Sequence, residues 1–280
     1  MLSVIIVNFK NPPLLRLCLA SLARTLSRET DFEVVVVDSQ TSIETQNVVL
    51  EEFVQRFRSI KLLPFAQNIG YTRGVNEGMR AGNGDYFLIL NPDIVILPSS
   101  VEQMVSYLTV HPEIGLLGPQ LLNFDDTVQA SCFRYPTPLT VMYRRMRYLP
   151  FARMILDHFL MKDANLSEPR PVDWLMGSAF MASRQAVNRV GPMDERLFLY
   201  MSDVDWPRRF WENGYAVMYY PHARMYHYLK RDSKGRFGIL DVFFKKETRW
   251  HIRDAFRYFQ KYGFFNAPDT RRELASTGLF

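Results

Sequence analysis

Five short apolar runs, each separated from the next by a stretch with helical periodicity, constrain this chain more than any other feature. "SVIIVNF", "FEVVVVD", "SIKLLPF", "DYFLIL" and "IGLLGP" recur through the first 120 residues. Runs of this length, without polar alternation, read as strands covered on both faces. Pro12-Pro13 open the first helix, with Leu15, Cys18, Leu19, Leu22 and Leu26 at helical spacing. Thr41 and Glu44 read as a capping box for a helix through Phe57, and Ser99 and Glu102 as another. A helix is also expected over about 71–81. The order β-α-β-α-β-α-β-α-β predicts an α/β fold with a mainly parallel sheet flanked by helices. Ligands of such sheets bind beyond the C-terminal strand ends. Asn8, Asp38, Asn68 and Asp93 fall at or just after those ends, so one rim is expected to hold them all.

Beyond residue 120 the regularity fades. "NFDDTVQASCFRYPTPLT" reads as loop and short strands, and residues 140–168 as a basic, aromatic helical stretch. "VDWLMGSAFMA" reads as one apolar strand, followed by a short helix over 183–190. "SDVDWPRRFWENGY" is an amphipathic helix closed by Gly214. "AVMYY" is a strand with His227 just beyond it, and a long helix is expected over about 240–262.

Several classes are excluded by what is missing. The chain lacks G-x-x-x-x-G-K-[ST], and its first β–α turn, "VNFKNPP", lacks G-x-G-x-x-G. Neither a P-loop NTPase nor a Rossmann oxidoreductase is favoured. No G-x-S-x-G elbow occurs. Cys18 and Cys132 lie far apart without metal-like spacing and read as free thiols of a reducing compartment. The start of the chain reads as a strand and not a signal peptide. What remains is a set of carboxylates, Asp38, Asp93, Asp203 and Asp205, together with His227.

These motifs, in order, resemble those of family-2 inverting glycosyltransferases with a GT-A fold. The resemblance covers roughly residues 1–230 through "SVIIVNF", "VVVVDSQ", "QNIGYTRGVNEGMRAGNGDYFLILNPDIVI" and "LYMSDVDWPRRFWENGY". Within the family, "GPQLLNFDDTVQASCFRYPT" and "VDWLMGSAFMA" are most similar to rhamnosyltransferases of bacterial surface-polysaccharide assembly. The resemblance implies a nucleotide-sugar donor, for which dTDP-rhamnose is the expected choice, and a glycan or polyprenyl-diphosphate-linked acceptor. It implies Mg²⁺ or Mn²⁺ on the diphosphate. Asn91-Pro92-Asp93 occupies the family's Asp-x-Asp position, with Asp93 as metal ligand and His227 as a further one. Val7, Asn8, Asp38, Asn68, Arg73, Asn76, Asn91 and Asp93 form the expected nucleotide-binding set. Asp203 is the expected catalytic base, since an inverting transfer needs a carboxylate to take the acceptor hydroxyl proton. Trp174, Met176, Gly177 and Asp205 are expected on the acceptor side. One departure stands out: the family's Glu before the base is Ser202 here. A turn at Asn91-Pro92-Asp93, and helix-terminus roles for Asp38 and Asp203, are the alternatives the residues leave open.

Charge is divided unevenly. Residues 1–140 carry 10 Lys and Arg against 14 Asp and Glu, and residues 141–280 carry 24 against 15, within a total of +5. The segments 141–153 and 243–265 mix Arg and Lys with aromatic rings. Such a mixture suits an anionic membrane surface or a nucleic acid. The resemblance selects the membrane, and no nucleic acid partner is expected. The expected organisation is a GT-A domain over 1–232, with a nucleotide-binding half (1–120) and an acceptor half (121–232). A helical extension follows over 233–280. The expected location is cytoplasmic, at the inner face of the cell membrane. The rival readings are a sugar nucleotidylyltransferase and a catalytically impaired nucleotide-sugar-binding protein.

Overall fold

The computed structural model describes residues 1–26, 31–146, 148–228 and 246–263. Its first half follows the periodicity of the sequence. Strand β1 (Leu2–Asn8), helix α1 (Pro12–Thr25), β2 (Phe32–Ser39), α2 (Ile43–Asn47), β3 (Ile60–Phe65), α3 (Tyr71–Ala81) and β4 (Tyr86–Leu90) alternate. The strands lie in the order β3-β2-β1-β4, all parallel, with Asn8 opposite Asp38 in register. Val4 to Ile6 and Val34 to Val37 are fully buried, as expected for strands covered on both faces.

Then the topology changes. After the short β5 (Ile94–Ile96) come α4 (Ser100–Val110), β6 (Ile114–Leu122), β7 (Cys132–Phe133), α5 (Pro138–Arg145), α6 (Ala152–Phe159), β8 (Arg170–Pro171), β9 (Trp174–Leu175) and β10 (Ala179–Ser183). The chain continues with α7 (Arg184–Val190), α8 (Ser202–Glu212), β11 (Ala216–His227) and α9 (Lys246–Tyr262). Strand β10 inserts antiparallel between β4 and β6, and β11 lies parallel to β6 and antiparallel to β5. The sheet is therefore mixed, with its parallel part confined mostly to the first half.

Four local expectations are corrected. "VDWLMGSAFMA" is two strands, because the chain breaks at Met176–Ser178; β9 pairs with β7, while β10 enters the main sheet. The cap of α2 is Ser42, whose hydroxyl accepts from Thr45 N–H at 3.1 Å, and the helix passes into a π-helical turn at Val48–Glu52 rather than running to Phe57. Ser99 adopts a left-handed conformation (φ 63°) that leaves it without a side-chain cap bond; Ser100 instead exchanges hydrogen bonds with the Arg224 backbone. His227 belongs to β11 itself, which runs past Tyr220 through an irregularity before Arg224.

The described part of the C-terminal region, α9, packs on the segment leading into α8. Asp254 accepts from the N–H groups of Leu199 and Tyr200 at 3.1 and 3.2 Å, and Trp250 lies against Phe198.

Candidate active site

The rim begins at β1 and β2. Asn8 Nδ2 donates to Asp38 Oδ1 at 2.7 Å, and both side chains are buried. Asn8 Oδ1 and Asp38 Oδ2 have no hydrogen-bond partner. At the end of β2, Ser39 donates to Asn68 Oδ1 and accepts from Ile69 N–H, while Gly70 N–H also reaches Asn68 Oδ1. This cluster shapes the entry to α3. Gly70 has φ +79°, and a Cβ there would meet Phe198 O at 2.6 Å, so only glycine fits. Arg73 is half-exposed and lies 3.6 Å from Glu77.

The opening between β4 and β5 carries Asn91-Pro92-Asp93. It is a turn, as Ile94 N–H to Asn91 O shows, but the turn also aims a carboxylate. Asp93 Oδ2 lies 3.6 Å from His227 Nε2, and the buried Oδ1 has no partner. Pairing of β5 with β11 makes this meeting possible, because His227 stands opposite Ile94 and Tyr228 N–H reaches Asp93 O. No group of three His, Cys, Asp or Glu side chains able to hold a metal occurs among the described residues. A carboxylate with an unpartnered oxygen beside an imidazole nonetheless fits a divalent cation that takes its remaining oxygens from a diphosphate and water.

Asp203 sits in the first turn of α8, half-buried. Its Oδ2 accepts from Gly177 N–H at 3.3 Å, and the Tyr71 hydroxyl donates to Gly177 O at 2.5 Å. Burial pushes the Asp203 carboxyl up to about 6; hydrogen bonds from Gly177 and from its own N–H, and the positive charge of Arg144, moderate the rise. The neighbouring Ser178 O accepts from Asn91 N–H at 2.8 Å. One short segment, Gly177-Ser178, therefore joins the raised carboxylate to the Asn91-Pro92-Asp93 turn. A Cβ at Gly177 would sit 3.1 Å from Asp203 Cβ and 3.4 Å from the Tyr71 hydroxyl, so glycine lets the three close together. Met176 adjoins this segment, half-buried, its N–H on Ser131 O. Ser202 Oγ is buried without a partner.

Three expected contacts go elsewhere. Asn76 is occupied at both ends of its amide: Oδ1 accepts from Met193 N–H, and Nδ2 donates to Met193 O and Glu195. Trp174 is core, stacked 4.3 Å from Phe133, with Nε1 donating to Arg134 O; no ring face remains for a sugar. Asp205 is buried and saturated by Arg209 Nε, Lys261 Nζ and the Tyr262 hydroxyl. The acceptor-side expectation for Asp205 comes from the resemblance alone, and at two residues from Asp203 in a helix its side chain points in a different direction. Tyr71, Ser39 and Gln129 were not anticipated, because their contacts join residues 29 or more apart in sequence.

Solved glycosyltransferases share this architecture. A GalNAc transferase with UDP, GalNAc and Mn²⁺ superposes with a TM-score of 0.65 at 14% identity, over 86% of this chain and 47% of that one. A mannosyltransferase from Pyrobaculum calidifontis with GDP-Man and Mn²⁺ gives 0.58 at 14%, over 99% and 79%. The fold is that of the GT-A glycosyltransferases. Residues 3–188 match the model of glycosyl transferase family 2, and the chain belongs to that family. It is similar to the N-acetylglucosaminyl-diphospho-decaprenol L-rhamnosyltransferase of Mycobacterium tuberculosis, at 30% identity over 84% of this chain and 78% of the relative. It also resembles the rhamnosyltransferase WbbL of Escherichia coli, at 26% over 66% and 65%. The protein is a glycosyltransferase.

Proposed function

We propose that the protein transfers a deoxyhexose, rhamnose from dTDP-rhamnose, to a hydroxyl of a glycan or polyprenyl-diphosphate-linked acceptor, with inversion at the anomeric carbon. The observation that carries this reading is the Gly177-Ser178 bridge, which couples Asp203 to the Asn91-Pro92-Asp93 turn. Asp203, with its carboxyl raised to about 6, is ionised at neutral pH yet basic enough to accept a hydroxyl proton. As that proton passes to Asp203, the acceptor oxygen bonds to the anomeric carbon and the bond to the diphosphate breaks, its electrons leaving with the phosphate oxygen. Gly177 N–H holds the carboxylate, and Tyr71 holds Gly177. The unpartnered oxygens of Asn8 and Asp38 call for donors from outside the chain. A ribose hydroxyl or nucleobase N–H meets that need, with Asn68 and Arg73 on the same rim. Asp93 and His227 would hold Mg²⁺ or Mn²⁺, which when bound offsets charge on the leaving diphosphate.

The rhamnosyl choice rests on the names of the two relatives above, and the lipid-linked acceptor on the mycobacterial one. A peripheral place at the inner face of the membrane draws support from the surface beside the site. Leu139, Tyr148, Phe151 and Met154 are exposed around α5 and α6, on the same segment as Arg144 and Arg153. Residues 147, 243–245 and 264–265 of the two basic segments lie outside the described residues. No helix among the described residues is long and apolar enough to cross a membrane.

The test is a donor panel of dTDP-rhamnose, UDP-glucose and GDP-mannose with MnCl₂ and an N-acetylglucosaminyl-diphosphoprenol acceptor. Expected is a rhamnosylated product with release of dTDP and inverted anomeric configuration by NMR. Transfer from another donor would overturn the sugar assignment; donor binding without any turnover would favour a non-catalytic binding protein.

A further inference from the structure

What His227 can offer a cation depends on which ring nitrogen carries its proton. A chain of side chains around it has donors and acceptors that can be assigned from end to end. Asp125 is exposed, and hydrogen bonds from the Thr127 hydroxyl and N–H hold its carboxyl below the ordinary range. An ionised carboxylate only accepts, so the Thr127 hydroxyl spends its single proton on Asp125 Oδ1, at 2.5 Å. The Thr127 oxygen therefore accepts from Asn123 Nδ2, at 2.8 Å. This fixes the Asn123 amide, whose Oδ1 lies 2.7 Å from Gln129 Nε2.

The same Gln129 nitrogen faces two backbone carbonyls, His227 O at 2.9 Å and Leu122 O at 3.4 Å. Three oxygens surround one atom, so that atom is the NH₂; the reversed amide would set oxygen against oxygen three times. Gln129 Oε1 is then the group 2.9 Å from His227 Nδ1. An amide oxygen cannot donate, so Nδ1 carries the proton. The lone pair of the neutral ring falls on Nε2, the nitrogen that faces Asp93.

We propose that Gln129, backed by Asn123 and Thr127, is a positioning residue that holds His227 as its Nδ1–H tautomer and presents the Nε2 lone pair, beside Asp93, to a divalent cation. The inference rests on the reading of Asp93 and His227 as cation ligands. It adds the support that fixes ring orientation and proton position before the ion arrives, as outer partners of ligating histidines do. The loop 123–129 grips β11 twice, because Asp126 also accepts from the Tyr226 hydroxyl one residue before His227. With His227 buried, its ring cannot turn over without losing the Gln129 bond.

The experiment is ¹⁵N NMR of the imidazole rings in the full-length protein above neutral pH, with His227 assigned from a His227→Gln variant. MnCl₂ is then titrated, with and without dTDP, and paramagnetic broadening of the His227 ring is followed. The expected result is Nδ1–H in the wild type and selective broadening of His227. In Gln129→Leu the tautomers mix and apparent Mn²⁺ affinity falls on the order of 10-fold. A wild-type ring protonated on Nε2 overturns the proposal, and this measurement needs no variant to fold. A folded Gln129→Leu with unchanged tautomer and Mn²⁺ midpoint overturns it too. Wild-type Nδ1–H without any response to Mn²⁺ would overturn the ligand reading of Asp93 and His227 and leave the tautomer assignment standing.

Discussion

Two carboxylates on the first turns of α8 live in opposite surroundings. Asp205 is sealed against α9, with Lys261 and Tyr262 on one oxygen at 2.6 and 2.8 Å and Arg209 on the other at 3.0 Å. Asp203 faces the rim and receives a long bond from Gly177 N–H. Asp254 and Asp93 repeat the contrast: the former takes the Leu199 and Tyr200 N–H groups on one oxygen and Arg253 on the other, while the latter keeps a buried oxygen without a partner. The brace between α8 and α9 satisfies its charges and so stabilises the fold. The rim leaves its charges under-satisfied and so has something to offer a ligand. Substitutions should therefore separate into those that remove activity but not stability and those that do the reverse.

The largest effect is expected at Asp203. Asp203→Asn should lower transfer by on the order of 10²-fold or more with near-normal donor binding, measured as kcat and as donor affinity. It should not lose stability. A carboxyl raised in the folded state binds its proton more tightly there than in the unfolded chain, so it costs stability as pH rises from the ordinary 3.8 through about 6. Removing the charge relieves that cost, and thermal unfolding at pH 7 should show a Tm equal to or above wild type.

Asp93→Ala should come next, with Mn²⁺-dependent donor affinity reduced by at least 10-fold and the Tm of the free protein little changed. Unchanged metal dependence in calorimetry would place Asp93 with the brace residues. On the other side of the comparison, Asp205→Ala should cost about 3 kcal/mol, because it leaves Lys261 and Arg209 facing a missing counter-charge. They keep some contact with solvent, which holds the loss at the low end. The readout is a fall in denaturation midpoint; full stability with lost acceptor affinity would return Asp205 to the acceptor site. The smallest effect is expected at Trp174→Phe, about 1 kcal/mol from the lost bond to Arg134 O. Acceptor KM should stay unchanged.

The difference between rim and brace also explains what could be read in advance. Strands β1 to β4 and the residues at their ends were legible because each signal is local: an apolar run, a helix period, a polar residue at the junction. Asp93 and Asp203 became candidates through the motifs around them. Asp205 and Asn76 looked like site residues for the same reason, and what reassigns them comes from afar: Lys261 lies 56 residues from Asp205, and Met193 lies 117 from Asn76. The break at Gly177 was hidden within an apolar run, since only its contacts with Asp203 and Tyr71 reveal why a glycine interrupts it. The antiparallel insertion of β10 between β4 and β6 likewise leaves no periodic trace.

If Asp203 takes the acceptor proton, the pH dependence of transfer must carry its ionisation. For the wild type at subsaturating substrate, the rate should rise with unit slope as Asp203 ionises and level off above about 6. Asp203→Asn should be slow throughout and show no break there, while Asp205→Asn, if folded, should keep it. A break near 6 that persists in Asp203→Asn, with transfer close to the wild-type rate, would contradict the assignment.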